Sequence, residues 1–160
     1  MTANTTGRTI SRFTDMRVDD SSGTLRSIPV DSINGVGLDY EQIDLTAFQD
    51  AVKGSLPALP SCTITVTGPF STDAAASAGT LSGSHTILNN LPGGVTPLSL
   101  GVFLGMRHTW EAGEPTFGLS SSATSGFLCK KYDVKDGKYS AEFVVYPGSS
   151  VPAWTTAAIT

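Results

Sequence analysis

Two stretches of the chain alternate apolar and polar residues one by one, and that period limits what it can fold into. Cys62, Ile64 and Val66 alternate with Thr63, Thr65 and Thr67, and further on Leu98, Leu100, Val102, Leu104 and Met106 recur at every second position. Successive side chains of a strand point to opposite faces, so a period of two buries one face of a sheet, whereas a helix needs spacings of three and four. Composition points the same way. Of 160 residues only 15% are charged, while 17 Gly, 9 Pro and abundant Ser and Thr supply turns rather than long helices. The expectation is a mainly β fold, a sandwich or barrel of about seven to nine strands, in a chain long enough to bury a core without disulfides or metal.

Residues 1–11 are polar, with four threonines and a glycine, and read as a flexible N-terminal arm preceding one β-rich domain over residues 12–160. Phe13, Met16 and Val18, the turn signal Asp20-Ser21-Ser22-Gly23, and then Leu25 and Ile28 read as a first hairpin, with an irregular register near Pro29. Thr46 followed by Gln49 has the form of a capping box, and Gly54 stands where a helix would stop. This predicts one short flanking helix over about residues 47–53, lying on the sheet through Leu45, Phe48, Ala51 and Val52, with Phe48 as its main anchor. The LPALP segment at 56–60 reads as a break. Residues 71–84, small and polar, form a candidate interaction loop that orders only on neighbouring subunits, and His85–Leu91 can make a helical turn or two. Strands follow at Phe127–Val134 and Lys138–Tyr146, joined by the hairpin signal Asp136-Gly137.

Several function classes are disfavoured. A net charge of −4 and a pI near 4.9, with the ten Lys and Arg scattered along the chain, provide no basic footprint for nucleic acid. Cys62 and Cys129 read as buried thiols, and His85 and His108 have no second ligand at zinc-site spacing, so neither metal nor cofactor is expected. The glycine-rich pieces lack the following Lys-Ser or Lys-Thr of a P-loop, and no Gly-x-Ser-x-Gly elbow occurs. Asp39, Glu41 and Asp44, or Glu111 and Glu114, are paired carboxylates of a kind that more often lie solvated in loops than at an active site. The chain therefore reads as a non-enzyme. With no apolar run long enough for a membrane span and no signal-like N-terminus, it reads as made in the cytoplasm. A secreted carbohydrate-binding sandwich presenting Trp110 and Trp154 is disfavoured on the same grounds.

The order VDDSSGTLRSI, then YEQIDLTAFQDAVKGSLPALP, then a strand ending in GPF and finally YPGSSVPAW resembles the tail-tube proteins of long-tailed bacteriophages. The resemblance covers most of residues 13–154. It implies a virion structural protein whose β-sandwich or barrel, flanked by a helix, assembles as hexameric rings stacked into a hollow tube for DNA passage. The implied partners are copies of itself, other virion structural proteins and, transiently, DNA.

Three physical readings suit that role. A sheet continued between subunits satisfies its edge strands, a polar arm and loop order on neighbours, and net negative charge lets DNA slide without sticking. Thr9, Ile10, Asp73, Ala75 and Leu81 are the subunit-interface candidates, and Asp39, Glu41 and Asp44 the lumen candidates. The short turn at Asp20–Gly23 departs from the long inter-ring loop of many tube proteins, which shifts stacking onto the arm and residues 71–84. The alternative from another class is a capsid decoration or cement protein of a phage head.

Overall fold

The computed structural model of the chain describes residues 11–49 and 51–160. After a 3-10 turn at Ser11–Phe13 come β1 (Thr14–Asp19), β2 (Leu25–Ile28), β3 (Ser32–Asn34), β4 (Asp39–Asp44), β5 (Ser55–Ser61) and β6 (Thr63–Pro69). Then follow α1 (Ser84–Leu88), β7 (Leu100–Leu104), β8 (Thr116–Leu119), β9 (Phe127–Lys135), β10 (Lys138–Val145) and β11 (Ala153–Thr155). One sheet has the order β11-β8-β7-β1-β2, a second β3-β6-β10-β9, and β4-β5 form a separate two-stranded ribbon. Among the described residues the strands pair antiparallel throughout, and neither large sheet closes into a barrel.

The alternation read from sequence places the core. Ile64 and Val66 of β6 are fully buried while Thr63 is exposed and Thr65 and Thr67 are half-buried. Met16, Val18, Val102 and Phe117 from the five-stranded sheet join Ile64, Val66, Ala141 and Phe143 from the four-stranded one in a single apolar cluster. Two sheets packed face to face over such a cluster make a β-sandwich. At one end Leu98 exchanges both backbone bonds with Phe127, so the strands of the two sheets meet there. The Asp136-Gly137 signal is used as read: φ is 53° at Asp136 and 73° at Gly137, the positive pair a tight β9–β10 turn requires.

β7 is buried on both faces rather than one, since Phe103 and Gly101 point away from the core yet are covered. The Trp110 ring meets Phe103 edge-on at 4.8 Å, the Arg17 guanidinium lies 4.1 Å over the same ring, and Ile159 packs where a Cβ on Gly101 would sit. The loop after β7 and the C-terminal residues thus form a second, thinner apolar layer outside the five-stranded sheet.

The helix predicted over 47–53 does not form. None of the described residues in that span is helical, and Phe48, the predicted anchor, is 108% exposed. The residues that mimic a capping box close a hairpin loop instead: Leu45 N–H donates to Gly54 O, Gly54 N–H donates to Thr46 Oγ1, and the Thr46 hydroxyl donates to Asp44. A seven-residue helix is too short to persist without a surface to lie on, and here none is near. The helix that forms is α1, which overlaps the stretch at His85–Leu91 read as a helical turn or two and starts one residue earlier, at Ser84, with Ile87 and Leu88 in the core and contacts to both β2 and β10. The LPALP segment is strand, not break: Pro57 and Pro60 sit opposite Gln42 and Tyr40 in β5, whose outer edge needs no N–H. Together with the short β3 and β11, this raises the strand number above the predicted range.

Replacing Phe143 with Ala should lower unfolding free energy by about 3–5 kcal/mol in urea titrations, the usual cost of emptying a buried aromatic site, while Phe48→Ala leaves the midpoint unchanged.

The β1–β2 turn yields a pH prediction. Burial of Asp20 opposes its ionisation, but bonds from the Ser22 hydroxyl, the Thr24 amide, Arg26 and the Ser22 amide outweigh it and bring the pKa down to about 2. A folded pKa below the unfolded value of 3.8 means the stabilisation is present above 3.8 and is lost as pH falls toward 2. Asp20→Ala should therefore be destabilised at neutral pH, with the gap in urea midpoint closing across that acid window.

Candidate assembly surface

The β4–β5 ribbon leaves the sandwich at Leu38 and returns at Cys62, and all six residues of β4 are exposed. Among the described residues, thirteen large apolar side chains are exposed, and seven of them fall on residues 40–59: Tyr40, Ile43, Leu45, Phe48, Val52, Leu56 and Leu59. Singly exposed apolar residues are ordinary, but a contiguous set on one projecting element marks a surface built to be covered. At its root the ribbon borders an open groove of about 540 Å³ lined by Leu38, Leu59, Pro60, Val144, Tyr146 and Val151 among others.

The three lumen candidates all lie on β4. Asp39 and Glu41 share one face by strand alternation and Asp44 belongs to the other, where its carboxylate accepts from the Thr46 hydroxyl and amide. Those two bonds, the hydroxyl's first, hold its carboxyl below the usual range. β5 carries an extra residue opposite Glu41, so the register shifts between Tyr40 and Gln42. Nothing in the sequence reading brought the acidic residues and the exposed apolar ones onto one hairpin. Proline inside an alternating segment, an edge-strand mark, was the signal for it.

The interface candidates divide. Thr9 and Ile10 lie outside the described residues. Asp73 and Ala75 are exposed, and Leu81 is 61% exposed. Their loop, however, finds its partners within the chain. Gly79 N–H donates to Ser27 Oγ, Ser82 N–H to Ser27 O, Arg26 Nη1 to Ala76 O, and Leu81 makes a parallel bridge to Ser27. Thr86 Oγ1 donates to Asp73 O and Ser71 Oγ to Asp73 Oδ2. The expectation that residues 71–84 order only on a neighbour is thus corrected: the loop's backbone satisfies the outer edge of β2, which would otherwise lie open.

Buried polar chemistry is sparse and structural. Glu114 is fully buried beneath the β7–β8 loop, where it accepts from the Glu111 amide, and His108 Nε2 lies 3.0 Å from it without hydrogen-bond geometry. Asp19 accepts from the Ser99 amide, and its burial raises its pKa. Cys129 is pushed up to about 11 by burial, so its sulfur stays a thiol. Among the described residues no three His, Cys, Asp or Glu side chains gather as a metal site would require, and no helix is long and apolar enough to cross a membrane.

No family model and no curated protein sequence matches the chain. Solved structures do. A chain of the sheath–tube complex of an extracellular contractile injection system (PVC), in the extended state, aligns with a TM-score of 0.53 at 14% identity, covering 94% of this chain and 93% of the other. A chain of the PVC sheath/tube terminator aligns at 0.52 and 13% identity, covering 94% and 98%. A chain of the anti-feeding prophage cap, which terminates the AFP tube, aligns at 0.52 and 10% identity, covering 98% and 97%. At such identities the likeness establishes a shared fold over nearly the whole chain.

Removing the Ser27 hydroxyl tests the loop's tether. Ser27→Ala should speed amide exchange at Gly79 while leaving amides of β6 and β10 as protected as before; unchanged exchange at Gly79 would mean the loop is held elsewhere.

Proposed function

We propose that the chain is a tail-tube subunit that self-assembles into hexameric rings stacked as a DNA-conducting channel in a virion, with the β4–β5 hairpin as its main assembly element. The observation that carries this reading is the hairpin itself. A two-stranded ribbon is marginally stable in water, and this one exposes a row of large apolar side chains instead of burying them. A neighbouring subunit supplies the missing surface. The fold shared with chains of tube-bearing assemblies supports a tail role over the head-decoration alternative.

The other parts follow from that arrangement. Residues 12–160 act as one unit and the arm, residues 1–11, reaches toward the next ring together with the exposed rim of the loop at Asp73, Ala75 and Leu81. Asp39 and Glu41 keep the channel side of the hairpin free of net positive charge, so passing DNA releases few counterions and is not held. The protein has no catalytic task, is made in the host cytoplasm, and meets other structural proteins of the virion.

Two of the similar structures are a tube terminator and a tube-terminating cap, which favours a second reading: a ring that ends a tube instead of propagating it. Electron microscopy of purified protein separates the two. Stacked rings support the tube subunit, single closed rings the terminator, and monomers at high concentration, even beside a tail-tip nucleus, contradict both.

Polar substitution at the hairpin tip tests the carrying observation. Phe48→Ser with Val52→Ser should abolish or strongly weaken ring formation by light scattering, yet leave the thermal midpoint of the monomer unchanged, because neither side chain contributes to the core.

A further inference from the structure

The sandwich and the hairpin together present six strand edges, and most are closed or too short to pair widely. β2 is covered by the loop at residues 76–82. β3 and β11 have three residues each. β5 carries Pro57 and Pro60, which have no N–H to donate to an added strand. Two long edges remain. One is β4, six residues without proline. The other is the outer edge of β9, where Leu98 engages only Phe127 and no backbone partner meets residues 130–135 among those described.

These two edges are opposite in charge. β4 carries Asp39, Glu41 and Asp44 and no base, whereas β9 carries Lys130, Lys131 and Lys135 against one acid, Asp133. Lys131 and Lys130 reach Asp133 and Glu142 at 2.9 and 3.4 Å, exposed pairs of the kind that contribute little and exchange readily. Lys135 has no ion pair among the described residues. Both faces also agree in character. Lys131, Asp133 and Lys135 lie on the outer face of β9 with Glu142 across from Lys131, while Tyr132 and Val134 point to the other side, beside Ala141 and Tyr139. On β4, Asp39 and Glu41 share one face, and Tyr40, 45% exposed, belongs to the other.

The geometry points to a specific contact: β4 of one copy adds to the outer edge of β9 of a second copy, with Asp39 and Glu41 on the lysine side and Tyr40 beside Tyr132 and Val134. The inference rests on the self-assembly reading and names the two surfaces that meet. Backbone bonds between the strands give affinity, and the alternating charge and aromatic rows set which edge is chosen. On the joined face Lys131 and Lys135 flank Asp133, so an incoming acid gains by lying against a lysine at either end and not against the central Asp133. A lysine-rich edge also resists pairing with its own kind, so β9 against β9 is disfavoured while β9 against an acidic strand is not.

Charge reversal and its repair test the contact. In the full chain, Lys131→Glu with Lys135→Glu should raise the concentration at half-assembly by about tenfold or more, the scale of losing close charge pairs at a covered edge. Adding Asp39→Lys and Glu41→Lys to that protein should restore assembly, and higher salt should weaken the wild type while partly relieving the defect of the reversed variant, because screening acts on attraction and repulsion alike. As a second readout, mixing a Glu41→Cys chain with a Lys131→Cys chain under mild oxidation should give a disulfide-linked dimer that neither gives alone. All four positions are exposed, so circular dichroism melts should stay those of the parent. Rings that form normally from the reversed variant, or cysteine chains that link only to their own kind, overturn this contact while leaving self-assembly intact. A wild type that stays monomeric throughout overturns both.

Discussion

The contact between two sheets over one apolar cluster is what the rest of the molecule depends on. Met16, Val102 and Phe117 face Ile64, Val66 and Phe143 across an apolar interior, and burial on this scale is the dominant favourable term of folding. Tyr139 belongs to the same layer, and its hydroxyl donates to Pro29 O at the corner where the chain passes from β2 to β3. That one bond ties the rim of the core to the crossing between sheets. Because these strands, with Ile87 and Leu88 of α1, fill the interior, the hairpin and the long loops are released from core duty.

The elements outside the two large sheets divide into those that seal and those that project. The loop of residues 76–82 seals β2, α1 bridges the two sheets, and Trp110 with Ile159 covers the outside of β7. The β4–β5 hairpin does the reverse, carrying apolar side chains into solvent with both outer edges unpaired among the described residues. Monomeric proteins blunt open edges with covers, charge or proline, and this chain applies a cover to β2, proline to β5 and lysine to β9. The charged residues of β4 are all acids, which fits the proposed pairing with the lysine-bearing edge of β9.

Much of the sandwich was legible because its signals are local. Alternation at 62–67 and 98–106 and the turns at 20–23 and 136–137 each follow from a period or a backbone conformation that neighbouring residues dictate. The helix at 47–53 was misread for an instructive reason. Thr46, Phe48 and Gly54 carry a helical pattern whose apolar side would need a surface beneath it, yet the strands on either side hold that segment away from any core. The candidate surface is legible in part: the sequence singles out Asp39, Glu41 and Asp44, whereas it reads Leu45, Phe48 and Val52 beside them as a buried helix face.

Sequence by itself determined the β class, the first and last hairpins, the alternating core strands, and the thiols as structural, since all of these depend on side-chain period, turn chemistry and residue type. Only the tertiary structure decided which edges are open. Whether β2 is sealed by residues fifty positions away, or β9 is left bare, depends on contacts between segments distant in the chain. An edge is a property of a sheet, not of a strand, and a strand's sequence does not say what lies beside it.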